Sequence, residues 1–256
     1  MSLNTFTSIL GVRISNSSSY SVVYKSLVQD FDRWYPHFIT VNNVHTVVEA
    51  TKDKHYKNVL NESHLSLPDG KPLSIIAKLK GEKNINRIFG PTFMEKTLDW
   101  GQREMIKHYF FGGTQDTLNK MLEVIKRKYP NVLVAGKYTP PFKKEFSEEE
   151  NKEFINRMNE SGAHIFWIGL GAPKQELWMH ENYKKLNKGI MIGIGAGFDY
   201  LAGNTKHAPV WMKNIALEWV FRLIQEPRRL WKRYLVTNTL FLWYVFLELT
   251  RLRKFD

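Results

Sequence analysis

Short apolar segments alternate with longer amphipathic segments along most of the chain. Runs such as HFITV, HYFF, AHIFWI and GIMIGI are typical of buried strands, and helical patterns follow them. Predicted strands cover residues 6–14, 37–41, 64–67, 108–111, 131–135, 163–168 and 189–194. Predicted helices run from the Ser15–Ser19 stretch to about Phe31, over 44–60, from Gly113 to Lys128, and over about 173–186. This alternation predicts an α/β fold with a Rossmann-like, mostly parallel sheet and helices on both faces.

Local signals support two of the helix starts and one boundary. Ser147 with Glu150 three residues later is a capping-box signature, and Pro173 suits a first helical turn. A basic and aromatic segment begins near Pro227. We therefore predict an α/β domain over residues 1–226 and a helical C-terminal appendage over 227–256.

Composition excludes several kinds of reactive site and indicates the kind of partner. The 256 residues include no cysteine, which excludes disulfides, zinc–thiolate sites and cysteine nucleophiles. The net charge of +12 favours polyanionic partners such as phosphorylated substrates, anionic lipid surfaces or nucleic acid. The first 15 residues lack a basic segment followed by an apolar one, so we expect no signal peptide. No stretch reaches the roughly 20 apolar residues that a membrane-spanning helix needs.

Several polar or glycine-rich turns follow predicted strands, at the edge where open α/β sheets bind ligands. They are Thr40–Asn42, Pro68–Gly70, Gly112–Thr114, Gly169–Glu176 and Gly193–Asp199. Glycines let a backbone approach a ligand, and helix N-termini bind phosphate oxygens, although strand-to-helix turns also favour glycine for purely structural reasons. Phe198 stands where GxGxxG needs its last glycine, and GxxxxGK[ST] is absent, which disfavours dinucleotide-binding oxidoreductases and P-loop NTPases.

Asp69 is the carboxylate with the most promising position. It follows a predicted strand and a proline and precedes a glycine, on a stiff turn near the expected site. A carboxylate there could remove the proton from an attacking hydroxyl group. The alternative is that Asp69 only caps the helix that begins near Gly70.

Metal-binding patterns are weak. Asp30-Phe31-Asp32 matches the DxD pattern of metal-dependent glycosyltransferases, but it lies at a predicted helix end rather than after a strand. The eight histidines show neither HxH nor HExxH spacing. We therefore expect no metal.

Residues 227–256 combine basic ends with an apolar, aromatic middle that is too short to cross a bilayer. Aromatic side chains favour the lipid–water boundary, and cations favour anionic lipids. The residues concerned are Trp231, Lys232, Arg233, Tyr234, Trp243 and Tyr244. We expect this segment to contact an anionic membrane surface rather than nucleic acid. Packing on the protein's own core, or on a second copy in a homo-oligomer, stays open.

The order of motifs resembles the WecG/TagA/CpsF glycosyltransferases (glycosyltransferase family 26) over nearly the whole chain. The most specific pieces are GLGAPKQE at 169–176 and the KHAPVWMKNIALEWVFRLIQEPRRLWKRYL stretch at 206–235. LPDG at 67–70, TVNNVHTVVEA at 40–50 and NRIFGPTFM at 86–94 also match. The resemblance implies a GT-E-like fold and an inverting, metal-independent transfer of N-acetylmannosamine or a related hexose. The donor is a UDP-sugar, and the acceptor is an undecaprenyl-diphosphate-linked saccharide in teichoic acid, enterobacterial common antigen or capsule synthesis.

The resemblance also implies roles for particular residues. Asp69 matches the proposed base, Thr40 and Asn42 match acceptor-binding residues, and Arg87 and Gln175 match polar pocket residues. The glycine turns would hold the nucleotide-sugar, Asp199 would accept a hydrogen bond from uracil or ribose, and C-terminal arginines would close over the diphosphate. The donor-binding set is Arg87, Gly112, Gly113, Gly169, Gly171, Lys174, Gln175, Glu176, Asp199, Arg222, Arg228 and Arg229. The implied location is the cytoplasmic face of the cell membrane, as a peripheral protein.

Two departures and two rival functions stay open. Thr92 stands where many relatives have Asp, and TVNN replaces the commoner T-x-N-[PA], so sugar specificity need not be shared. A nucleotide-sugar oxidoreductase or epimerase would bind NAD. A non-catalytic membrane-associated scaffold would not release UDP. The sequence leaves the donor sugar, the acceptor sugar and the linkage undecided.

Overall fold

The computed structural model describes residues 5–28 and 35–255, in which strands and helices are interspersed up to Gly193 and the later regular elements are all helices. The strands are β1 Phe6–Ile9, β2 Val12–Ser15, β3 His37–Asn42, β4 Leu65–Pro68, β5 Lys107–Gly112, β6 Leu133–Tyr138, β7 Ile165–Gly169 and β8 Ile190–Gly193. The helices are α1 Tyr20–Val28, α2 Val44–Ala50, α3 Lys54–Glu62, α4 Lys71–Leu79, α5 Gly90–Gly101, α6 Gln115–Lys128, α7 Glu148–Ser161, α8 Lys174–Asn182, α9 Gly197–Leu201, α10 Val210–Asn214, α11 Glu218–Gln225 and α12 Pro227–Leu249.

Six strands form the main sheet in the order β4-β3-β8-β7-β5-β6. The pairs β3–β8, β8–β7, β7–β5 and β5–β6 are all parallel. Helices flank this sheet, and β1 and β2 form a separate two-stranded sheet. The prediction of a mostly parallel α/β fold is therefore confirmed. A membrane-binding role for the C-terminal segment stays a prediction.

The chain divides into two compact units, which are described separately. Among the described residues, the first unit contains 5–23, 41–89 and 206–255, and the second contains 24–28, 35–40 and 90–205. Strand β3 belongs to the second unit up to Thr40 and to the first from Val41 onward.

The core of the second unit is aromatic. Phe111 of β5 stacks on Trp178 of α8 with a ring-centroid distance of 4.8 Å, and it lies 5.2 Å from Phe154 of α7. The predicted capping box of α7 is present, because Ser147 and Glu150 satisfy each other's backbone N–H groups. Burial of these rings fixes α7 and α8 against the sheet.

The first predicted strand is wrong in one respect, because residues 6–15 form an antiparallel hairpin rather than a single strand. Leu10 and Gly11 both have positive φ angles, 52° and 79°, which is the geometry of a tight two-residue hairpin turn. Leu10 is fully buried, and its N–H donates to Glu248 Oε1 at 3.0 Å. Because Leu10 is apolar, the sequence lacks the Asn or Asp that would indicate a turn at this position.

The helix predicted over residues 44–60 is two helices. Asn43 and Thr46 form a capping box at the start of α2, and Asp53 caps α3 by accepting a hydrogen bond from the Tyr56 N–H at 3.0 Å. The helical periodicity continues across the break, which explains the single prediction.

Helix α12 begins at Pro227, where the composition changes. Its buried residues, Leu230, Thr237, Phe241 and Val245, are four or seven positions apart and share one face. Helix α12 packs on α2 and α11 within the first unit. None of the helices in the described part of the chain is long and apolar enough to span a membrane.

His108 in β5 makes the second unit sensitive to acid. Its ring is fully buried, Nδ1 accepts a hydrogen bond from Trp167 Nε1 at 3.2 Å, and Nε2 has no partner within the described residues. Burial, with a smaller contribution from His164, lowers the pKa of His108 to about 3. The folded protein therefore keeps this imidazole neutral at pH values where an exposed histidine would be charged.

We expect this burial to cost stability in acid. Because the unfolded chain binds a proton near pH 6.5 and the folded one does not, the free energy of unfolding falls by about 1.4 kcal/mol per pH unit below 6.5. His108→Gln keeps an acceptor for the indole N–H and removes this slope. Urea unfolding at several pH values between 4 and 7 tests the difference. Parallel stability curves for the two proteins would contradict it.

Candidate active site

Asp69 lies on a turn that the end of β3 holds in place. The N–H groups of Asp69 and Gly70 both donate to the Asn42 carbonyl, at 2.8 and 3.3 Å, and the Asn42 amide donates to Ser66 Oγ at 2.7 Å. Asp69 is partly exposed, whereas Asn42 is fully buried. The N-cap of α4 is Gly70, the residue after Asp69.

Arg87 also contacts the Asp69 turn. Its Nε donates to the Asp69 carbonyl, and its Nη2 forms an ion pair with the buried carboxylate of Glu218. The guanidinium also lies over the Phe89 ring, 4.5 Å from its centroid. The predicted residues Asp69, Arg87 and Asn42 are therefore brought together in the first unit. Thr40 is a buried residue of β3, assigned to the second unit.

The glycine turns after β5, β7 and β8 meet at one edge of the second unit, as predicted for its parallel strands. Gly112 pairs with Gly169, and the Gly113 N–H donates to the Gly169 carbonyl at 3.1 Å. A Cβ atom on Gly112 would lie 2.5 Å from the Gly169 carbonyl oxygen, and one on Gly169 would lie 2.6 Å from the Phe198 ring. Close packing alone therefore requires glycine at these two positions.

Gln175 ties two of these turns together. Its Oε1 accepts from the Gly171 N–H at 3.2 Å and from the Gly195 N–H at 3.0 Å. Its Nε2 donates to Glu176 Oε1 at 2.7 Å, and both side chains are buried. Gln175 thus fixes the spacing between the loops after β7 and β8.

Two other predicted donor-binding residues of the second unit are engaged with protein groups. Lys174 Nζ donates to the Lys143 carbonyl and lies 3.7 Å from the centroid of the Phe146 ring. Burial lowers the pKa of Lys174. Asp199 Oδ1 accepts from Thr117 Oγ1 at 3.3 Å and from Asn204 Nδ2 at 3.2 Å.

Two of the candidate C-terminal arginines share one carboxylate. Arg222 and Arg229 both form ion pairs with Glu226, while Arg228 is exposed. Arg233, which is exposed, lies near both of these arginines. The resulting concentration of positive charge suits a diphosphate.

The positive charge of Arg233 also affects His45, at the start of α2. Burial and, next, the charge of Arg233 lower the pKa of His45 to about 4, so this imidazole is neutral at pH 7. Sequence reasoning missed His45, Glu218 and Glu226, because nothing in their local pattern distinguishes them from ordinary helix-surface residues. Thr92, the departure noted above, is a partly exposed residue in the first turn of α5.

The segment from α10 to α12 exposes twelve large apolar side chains. They are Val210, Trp211, Ile215, Trp219, Ile224, Trp231, Leu235, Val236, Leu242, Trp243, Phe246 and Leu249. Lys232 and Arg233 are exposed beside them, and Tyr234 and Tyr244 are partly buried. Exposed apolar residues next to cations are typical of surfaces that meet lipid or protein.

No group of three or more His, Asp or Glu side chains suited to a metal ion occurs within residues 5–28 and 35–255. The DxD match at Asp30 and Asp32 lies outside the described residues.

Comparison with known proteins agrees with the motifs. The model of the Glycosyl transferase WecG/TagA/CpsF family matches residues 7–255. Proteins of Bacillus subtilis (strain 168) and Bacillus spizizenii are 31% and 29% identical over 198 residues, which is 77% of this chain and 74% of each relative. A Staphylococcus aureus protein is 23% identical over 196 residues, or 77% of this chain and 73% of its own length. Each of the three is named N-acetylglucosaminyldiphosphoundecaprenol N-acetyl-beta-D-mannosaminyltransferase.

The match covers both compact units and includes the Asp69 turn, the glycine turns and the C-terminal helices. The protein is therefore a glycosyltransferase that belongs to the WecG/TagA/CpsF family.

Proposed function

We propose that this enzyme transfers N-acetylmannosamine, or a related hexose, from a UDP-sugar to an undecaprenyl-diphosphate-linked sugar. The names of its relatives give the acceptor class and the transferred sugar. The product would enter teichoic acid or another bacterial surface polysaccharide. The reaction inverts the anomeric carbon and needs no metal, and the enzyme acts as a peripheral protein at the cytoplasmic face of the cell membrane.

The observation that carries this proposal is the Asp69 turn. A partly exposed carboxylate on a turn fixed by Asn42 and Arg87 is suited to general-base catalysis. Asp69 takes the proton of the acceptor hydroxyl group while the oxygen of that hydroxyl group forms a bond to the anomeric carbon. The bond from that carbon to the diphosphate oxygen breaks, and UDP leaves with the electron pair.

Positively charged side chains stabilise the leaving diphosphate, as a metal ion does in other glycosyltransferases. Arg222, Arg229 and Arg233 carry more charge than Glu226 neutralises, and Arg228 adds another exposed cation. Preorganised cations of this kind stabilise the charge that builds on a leaving diphosphate.

Acceptor-dependent UDP release tests this function. With UDP-N-acetylmannosamine and a synthetic lipid-diphosphate N-acetylglucosamine, we expect UDP release only when the acceptor is present, and equally in excess EDTA. UDP release without acceptor, or activity lost in EDTA and restored by Mn²⁺, would contradict the proposal. A panel of UDP-sugars in the same assay identifies the donor, and titration with NAD distinguishes an oxidoreductase.

A further inference from the structure

The segment around Arg87 is hydrogen-bonded to Pro68 and Asp69 of the Asp69 turn and to Tyr20. The Ile88 N–H donates to the Pro68 carbonyl at 2.8 Å, and the Phe89 N–H donates to the Tyr20 hydroxyl at 3.1 Å. Arg87 Nε donates to the carbonyl of Asp69 itself. Any movement of the guanidinium therefore moves the backbone that carries the Asp69 carboxylate.

Glu218 holds the other end of this guanidinium. It is the first residue of α11, its side chain is 12% exposed, and its carboxylate pairs with Arg87 Nη2. Within the described residues, neither of its oxygens has a hydrogen-bond partner that competes with this ion pair. Burying a carboxylate is costly unless an opposite charge compensates it. Glu218 is therefore committed to Arg87.

We infer that Glu218 is a positioning residue for catalysis, which acts on Asp69 through Arg87. The inference rests on the proposed function and assigns a role to a residue outside the predicted site. The planar guanidinium fixes two directions at once: Nε toward the Asp69 carbonyl and Nη2 toward Glu218. Glu218 thereby sets the rotation of the guanidinium, and the guanidinium sets the position of the turn.

A simpler role for Glu218 is to offset the positive end of α11, where an acidic residue is favourable. That role involves the helix alone and does not require Arg87. The two roles differ in how the effects of changing Glu218 and Arg87 combine.

A double-mutant cycle measures this combination. Glu218→Gln should lower kcat by roughly 10- to 100-fold, because a small misplacement of a catalytic group has effects of that size, while the KM for the UDP-sugar stays nearly unchanged. Glu218→Gln should then have little further effect on kcat in an Arg87→Gln background. Additive effects, wild-type kcat in Glu218→Gln, or a change in KM alone would each overturn the inference.

The controls separate positioning from folding. Glu95→Gln removes the half-buried carboxylate that pairs with Lys128 in the second unit, and it should leave kcat unchanged. Glu218→Asp keeps the charge and should retain more activity than Glu218→Gln. If a neutral single variant does not fold, the cycle is run with Arg87→Lys and Glu218→Asp, with the same expected non-additivity and the same contradicting result.

Failure of this inference is distinct from failure of the proposed function. If Asp69→Asn loses turnover but Glu218→Gln does not, only the role of Glu218 is wrong. If Asp69→Asn keeps wild-type turnover, the proposed base is wrong whatever Glu218 does.

Discussion

Asp69→Asn should lower kcat by roughly 10²- to 10⁴-fold, the usual contribution of a general base. Asparagine has nearly the same shape as aspartate, and the backbone groups of residue 69 that contact Asn42 and Arg87 remain. The turn should therefore keep its structure and lose only the proton acceptor. Initial rates of UDP release with the lipid-linked acceptor measure the effect.

Substrate binding and a matched variant complete this test. Calorimetry should give nearly the same affinity for UDP in Asp69→Asn as in the wild type, because the proposed nucleotide contacts lie elsewhere. Asp53→Asn is the control, since Asp53 also precedes a helix in the first unit and asparagine caps helices equally well. Wild-type turnover in Asp69→Asn would remove Asp69 from the role of base.

The combined variant Trp231→Ser, Leu242→Ser and Trp243→Ser should weaken binding to anionic vesicles by at least about 100-fold. These three side chains of α12 are 55%, 70% and 55% exposed, so their removal leaves the packed face of the helix intact. Burying one large apolar side chain contributes about 1.5–3 kcal/mol, and the neighbouring cations add attraction to anionic lipid. Sedimentation with phosphatidylglycerol vesicles measures the loss.

Substitution is a sharper experiment here than removal of residues 227–256. Deletion would expose the surfaces that Leu230, Phe241 and Val245 cover, and it would remove Glu248 from Lys80 and from the Leu10 N–H. A control for lost hydrophobicity alone is Leu79→Ser, Met105→Ser and Phe142→Ser, which changes three exposed side chains outside helices α10 to α12. Unchanged vesicle binding in the α12 variant would place the membrane contact elsewhere.

Local sequence determined most of the secondary structure and the class of fold. Buried parallel strands such as β7 and β8 are short and continuously apolar, and the capping box at Ser147 needs only residues three apart. The position of Asp69 after a strand and a proline was visible for the same reason. Signals of this kind are contained in a few neighbouring residues, so they survive without knowledge of the fold.

Local sequence failed at the Leu10 turn, where the decisive partner is distant, and at Asp53, where a local cap interrupts a helical periodicity that continues past it. The turn at Leu10 is apolar because it is buried beside Glu248, and the residues from Val44 to Glu62 form two helices because Asp53 caps a new one. The local periodicity of apolar residues indicates neither the burial of the Leu10 turn nor the start of a second helix after Asp53. Both errors arose where a contact or a cap overrides a continuous pattern.

The chain by itself therefore determined an α/β glycosyltransferase family with a candidate base, because short-range patterns and family motifs encode these. Only the tertiary structure decided which groups hold that base. Asn42, Arg87 and Glu218 are far apart in sequence, and their contacts with the Asp69 turn and with one another depend on chain folding. The same holds for α12, whose composition predicts an interfacial helix but whose two faces become distinguishable only once one of them is buried.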